Sequence, residues 1–186
     1  MCGWAVRFLA NAVMLLLNPL WSLQALQSEA EIDEAFAVYQ NRADYFRQAF
    51  GSNPLRQMVV DDARELAGSE QGCLHYGLLK YTNNTVGVLG CLTDYPATGF
   101  GYIRLFMLRS EYEGKGLAAE GYRAVEQWMR KQNMHTIRLL VLAENCRGQQ
   151  FWLKMGFVKA GEKYSHLHQQ EHLVWRMEKS LETMPV

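Results

Sequence analysis

Apolar positions along the chain fall into short runs of two kinds, separated by glycine, proline and asparagine. Ile32, Phe36, Tyr39, Ala43, Phe46 and Phe50 recur at steps of four and three, which places them on one helical face. Ser28 precedes the run as an N-cap with acidic residues behind it, Gly51 stops it, and Asn53-Pro54 turns the chain. Leu117, Gly121, Ala124, Val125 and Trp128 mark a second buried helical face, and residues 147–155 form a third, short helix ended by Gly156. Residues 20–26 read as a short strand. Residues 73–80 and 85–92, apolar and β-branched, flank Thr82-Asn83-Asn84 as the two arms of a hairpin. After the turn-rich TDYPATG loop, residues 100–108 form a further strand. Residues 136–142, apolar apart from Arg138, have the pattern of a strand buried on both faces, and residues 157–163 and 172–178 supply the last two.

The order is strand, helix, hairpin, strand, helix, strand, helix, strand, strand. It predicts an α/β (α+β layered) fold around one mixed sheet flanked by helices, in a single domain over residues 20–186. Residues 1–19 stand apart as an apolar N-terminal extension. Arg7 followed by FLANAVMLLL imitates a secretory signal, but Asn11 and Asn18 interrupt the run and it falls short of the roughly 20 residues that span a bilayer. The expectation is an ordered segment packed on the domain or on a second copy, which offers a surface for a homodimer, with no stable membrane insertion.

Charge narrows the partners. Nineteen basic residues balance nineteen acidic ones, so no overall field draws the protein to nucleic acid or to an anionic membrane, and any anion site must be local. Cys2, Cys73, Cys91 and Cys146 are scattered without C-x-x-C spacing or a nearby histidine pair. No metal is expected, and a reduced, cytoplasmic protein is.

The local anion site lies in SEYEGKGLAAEGYRAVEQWMR, where Gly114-Lys115-Gly116 joins a strand to a helix. Glycines there let the backbone turn sharply, and the free N–H groups of the first helical turn point at whatever binds. A nucleoside-triphosphate loop requires G-x-x-x-x-G-K-[ST], which Lys115-Gly116 breaks. The dinucleotide fingerprint is formally met by Gly114, Gly116 and Ala119, yet the acidic ribose partner due about 20 residues later is replaced by TIRLLVL.

The stretch from Glu113 through Gly114, Lys115, Gly116 and Leu117 to Ala118 resembles motif A of the GNAT superfamily of N-acetyltransferases, [QR]-x-x-G-x-[GA], with Glu113 in place of the glutamine or arginine. A second segment, with Asn145, Gly148, Phe151, Trp152, Lys154, Gly156 and Phe157 in register, is similar to the same family's later motif N-x-x-[AG]-x-x-[FL]-Y-x-[KR]-x-G-F. The resemblance covers roughly residues 20–180 and implies a mostly antiparallel, splayed sheet. It further implies that the loop amides hold the pyrophosphate of acetyl-CoA and that backbone at Phe106, Met107 and Leu108 pairs with the pantetheine arm. Asn145, Phe151 and Trp152 complete the implied cofactor site.

The implied reaction is direct attack of an amine on the thioester, which needs a proton acceptor and a donor to the departing thiolate. Many relatives have a tyrosine where Trp152 stands, so the usual acid is missing. Tyr102, His166 and His168 are the candidate bases, and Arg104 is the candidate grip for a substrate carboxylate; His75 and His135 read as structural. The expected function is N-acetyl transfer from acetyl-CoA to a small-molecule amine or peptide acceptor. The alternative, motivated by Glu113 and Trp152, is an acyl-CoA sensor or scaffold without catalysis.

Overall fold

The computed structural model describes residues 14–64, 72–167 and 170–181. Along the chain run β1 (Met14–Leu16), β2 (Trp21–Ala25), α1 (Glu29–Asn41), α2 (Ala43–Phe50), α3 (Arg56–Arg64), β3 (Cys73–Tyr81), β4 (Asn84–Thr93), β5 (Phe100–Leu108), α4 (Leu117–Lys131), β6 (Thr136–Leu142), α5 (Cys146–Lys154), β7 (Val158–Leu167) and β8 (Gln170–Ser180). One eight-stranded sheet takes the order β1-β2-β3-β4-β5-β6-β8-β7. Its pairings are antiparallel except for β5 with β6.

Local chemistry accounts for the ends. Ser28 accepts from the Glu31 N–H while the Glu31 side chain reaches back to the Ser28 N–H, a complete capping box that starts α1. Gly51 ends α2 in the left-handed region at φ 68°. Thr82 and Asn83 both have positive φ, 47° and 68°, as the tightest hairpin turn between β3 and β4 requires.

The helical stripe from Ile32 to Phe50 is not one helix. Arg42 leaves the helical region at φ −115°, ψ 33°, and divides it into α1 and α2. This break lets both pieces pack on a twisted sheet and turns Arg42 toward the end of β5. Apolar spacing also gave no sign of α3, whose apolar face spans only Met58, Val59 and Ala63. Nor did it reveal β1, an edge strand paired with β2. Residues 1–13 of the expected extension lie outside the described residues. Among the described residues no helix is long and apolar enough to cross a membrane.

The sheet separates two apolar layers. On one face α4 and α5 close over Trp21, Leu89, Ile103, Ile137 and Met177; on the other, α1, α2 and α3 cover Leu78, Val88 and Met107. Gly121 of α4 lies so close to Trp21 that an added Cβ would come within 2.7 Å of its ring, so helix and sheet meet at a distance that only glycine permits. The layers matter for function because β5 belongs to both.

Candidate functional site

β5 stays paired with β4 through Leu108, but its pairing with β6 stops at Ile103–Leu139. Beyond that point the two parallel strands diverge, and residues 104–108 of β5 turn one edge of main-chain N–H and C=O groups into the gap. A cleft of about 850 Å³ opens there. A bulge sharpens the geometry: Gly90 faces Leu105 and Cys91 faces Ile103, leaving Arg104 as the extra residue on β5. Leu105 therefore packs with the α1–α3 layer, while Ile103 and Phe106 pack with the α4 layer.

The floor of one end is the loop after β5. A short 3-10 turn at Ser110–Tyr112 carries the chain to Gly114 and Gly116, both left-handed at φ 70° and 78°. A Cβ at either glycine would meet nothing within 4 Å, so their left-handed backbone, which glycine adopts without strain, serves an open surface rather than a tight packing contact. Gly116 is the N-cap of α4, and among the described residues no side chain caps that helix. Its first-turn N–H groups are thus offered outward with the positive end of the helix dipole behind them. This donor set fits a pyrophosphate. Glu113, Gly114 and Ala118 line the cleft, Lys115 and Gly116 are exposed beside it, and Leu117 turns to the core.

Glu113 is held between two arginines. Its Oε1 lies 2.7 Å from Arg42 Nη1, and its Oε2 lies 2.7 Å from Arg147 Nη2. Arg42 Nη1 also donates to the Leu108 carbonyl at 3.1 Å, tying the α1–α2 break to the end of β5.

Aromatic rings form the wall. Trp152 is buried against Phe106, Phe151, Tyr122 and Phe157, and Phe106 stacks on Phe151 at 6.1 Å between centroids. Asn145 lines the cleft but also caps α5, its Oδ1 accepting from the Gly148 N–H at 2.8 Å. Gln149 donates to the carbonyls of Leu142 and Ala143, which anchors α5 to the end of β6.

The other end is lined by Tyr45, Phe50, Asp62, Tyr95, Tyr102 and Arg104. Arg104 Nη2 lies 3.0 Å from Asp62 Oδ1, and the second carboxylate oxygen accepts from Tyr39 Oη at 2.5 Å. Burial, with Tyr95 adding to it, pushes the Tyr102 hydroxyl up to about 12, and burial pushes Tyr45 to about 12 as well. Both hydroxyls therefore stay protonated near neutrality. His166 is exposed in β7 opposite Glu171 and does not line the cleft, while His168 lies outside the described residues. His75 packs edge-on against Trp128, and His135 against Phe100.

Among the described residues no group of three or more His, Cys, Asp or Glu side chains is placed to hold a metal ion. Asp62, Arg42 and Arg147 are the charged cleft residues that sequence reasoning missed. Arg147 stands at an unspecified position of the second motif, Arg42 at an unpredicted helix break, and Asp62 on an unpredicted helix.

A family model described as Acetyltransferase (GNAT) family matches residues 35–157. Among solved structures, an acetyltransferase from Thermus thermophilus is 19% identical with TM-score 0.65, covering 90% of this chain and 100% of that one. The Salmonella typhimurium acetyltransferase that modifies the N-terminal serine of a 50S ribosomal subunit protein is 15% identical with TM-score 0.70, covering 91% and 99%. Spermidine N-acetyltransferase from Vibrio cholerae, in complex with CoA and spermine, is 16% identical with TM-score 0.62, covering 88% and 96%. Among curated proteins no sequence match was found.

Proposed function

We propose, since the chain belongs to the GNAT acetyltransferase family, that it transfers an acetyl group from acetyl-CoA to a primary amine by direct attack in the cleft between β5 and β6. The observation that carries this is the parting of those strands above an uncapped helix N-terminus, which puts an extended strand edge and an anion site in one groove.

The amides of Gly114 to Ala118 hold the pyrophosphate, and the β5 edge at Phe106, Met107 and Leu108 receives the pantetheine arm as an added strand would. Phe106, Phe151 and Trp152 exclude water from one side of the groove. Bound acetyl-CoA supplies the activated acyl thioester. Main-chain N–H groups of β5 polarise its carbonyl. Tyr102 and Tyr45 orient the acceptor as hydroxyls, beside the Asp62–Arg104 ion pair that lines the same end. The acceptor reaches the thioester as the neutral amine, having given its ammonium proton to water in the cleft. Attack on the carbonyl carbon then expels the thiolate, and the proton the nitrogen sheds passes through water to that thiolate, since Trp152 has none to give at neutral pH. The free thiols of Cys73, Cys91 and Cys146 suit a reducing, cytoplasmic setting.

The two acceptor classes named for similar structures, a protein N-terminus and a polyamine, set the first panel to try. Incubation with acetyl-CoA and a range of polyamines, amino acids, amino sugars and peptides should release free CoA with at least one of them. Binding of acetyl-CoA with every amine silent would instead favour the sensor reading, whose motive is Trp152 in place of an acid.

A further inference from the structure

The cation absent from the head of the glycine loop is supplied from elsewhere. Where motif A has glutamine or arginine, this chain has an acid, and simple electrostatics predicts that a carboxylate beside a pyrophosphate weakens its binding. The geometry around Glu113 reverses that sign. One carboxylate holds two guanidinium groups, Arg42 from the α1–α2 break and Arg147 from the first turn of α5, each at 2.7 Å. Each arginine spends one terminal nitrogen on Glu113 and keeps further N–H donors of its planar fork. Both arginines, Glu113 and Gly114 line the same end of the cleft.

We propose that Glu113 is a positioning residue that clasps Arg42 and Arg147 across the mouth of the cleft, so that they bind the phosphate groups of a nucleotide-bearing thioester. This rests on the acetyl-CoA reading. Arg42 has a second anchor in the Leu108 carbonyl and is largely covered, although Asp44 also lies 3.5 Å from its Nε. Arg147 depends on the clasp most, because its side chain is 70% exposed and Glu113 is the carboxylate drawing it inward. Holding the two guanidiniums in place before the ligand arrives removes part of the ordering cost of binding. The α5 start and the α1–α2 break are thereby tied to the loop from opposite sides.

The test is calorimetric and does not depend on turnover. CoA and acetyl-pantetheine, which lacks the nucleotide and its phosphates, are titrated into the intact chain and into Glu113→Gln, Glu113→Asp, Arg147→Ala and the Glu113→Gln/Arg147→Ala double variant. Glu113→Gln should weaken CoA about tenfold and flatten the salt dependence of its affinity, with acetyl-pantetheine unchanged. Glu113→Asp should recover most of the loss. Arg147→Ala, an exposed site that cannot unfold the chain, should show a similar loss, and the double variant should add little to it. Equal or tighter CoA binding by Glu113→Gln, or full additivity in the double variant, overturns the clasp while leaving the cofactor reading intact. No CoA binding by the unaltered chain would overturn the cofactor reading first and the clasp with it.

Discussion

His75 is a half-buried titratable side chain on β3 that folding keeps neutral. Its ring packs against Trp128 at 4.8 Å, its Nε2 has no hydrogen-bond partner among the described residues, and burial pushes its pKa from 6.5 down to about 4. A folded pKa below the unfolded one means that the unfolded chain takes up the proton first as pH falls. The stability tied to neutral His75 is therefore present above pH 6.5 and is lost as pH drops toward 4. Denaturant midpoints measured across that window should fall less steeply for His75→Leu than for the unaltered chain. At this scale the sequence was partly legible. Histidine in a strand was readable as structural, and the spacing of Asn145, Phe151 and Trp152 was readable as a motif. That Asn145 also caps a helix was not, because a cap is defined by backbone direction and the motif records only identity. Tyr102, a candidate from its place on the strand, does line the cleft, and the burial that raises its hydroxyl's pKa is not visible in a residue list.

The capping box at the start of α1 is the clearest case of an element specified by its own residues. Ser28→Ala removes the acceptor for the Glu31 N–H and should cost about 1 kcal/mol, a drop of roughly 2–4 °C in Tm for a chain of this size. An unchanged melting curve would mean that packing of Ala35, Val38 and Tyr39, rather than the cap, fixes the helix start. Elements whose pattern and punctuation agree came through with their bounds: β5 and β6 run from Phe100 to Leu108 and from Thr136 to Leu142 as expected. Those governed by tertiary packing did not. The stripe from Ile32 to Phe50 has unbroken helical spacing, yet Arg42 leaves the helix to reach Glu113 and Leu108. α3 was hidden because a nine-residue helix with four apolar residues, three of them consecutive, gives too little periodicity to read.

For the whole molecule, the order of elements and two spaced motifs were enough to read a layered α/β domain of the GNAT kind, and the family match over residues 35–157 agrees. The cleft itself was legible only through resemblance, because strand divergence after Ile103–Leu139 is a property of two segments far apart in sequence. The ring of Arg42, Glu113 and Arg147 was out of reach for the same reason: its members come from three segments that only the folded sheet brings together. The central claim is that the gap between β5 and β6, floored by the glycine loop, is an acetyl-CoA site. Thermal unfolding with and without acetyl-CoA tests it most directly. At a hundredfold excess over the dissociation constant, stabilisation of about 2.7 kcal/mol should appear in the intact chain. It should largely vanish in Gly116→Trp, whose side chain would stand in the open space before α4. An intact chain whose melting does not respond to acetyl-CoA, or a Gly116→Trp chain that responds equally, would contradict it.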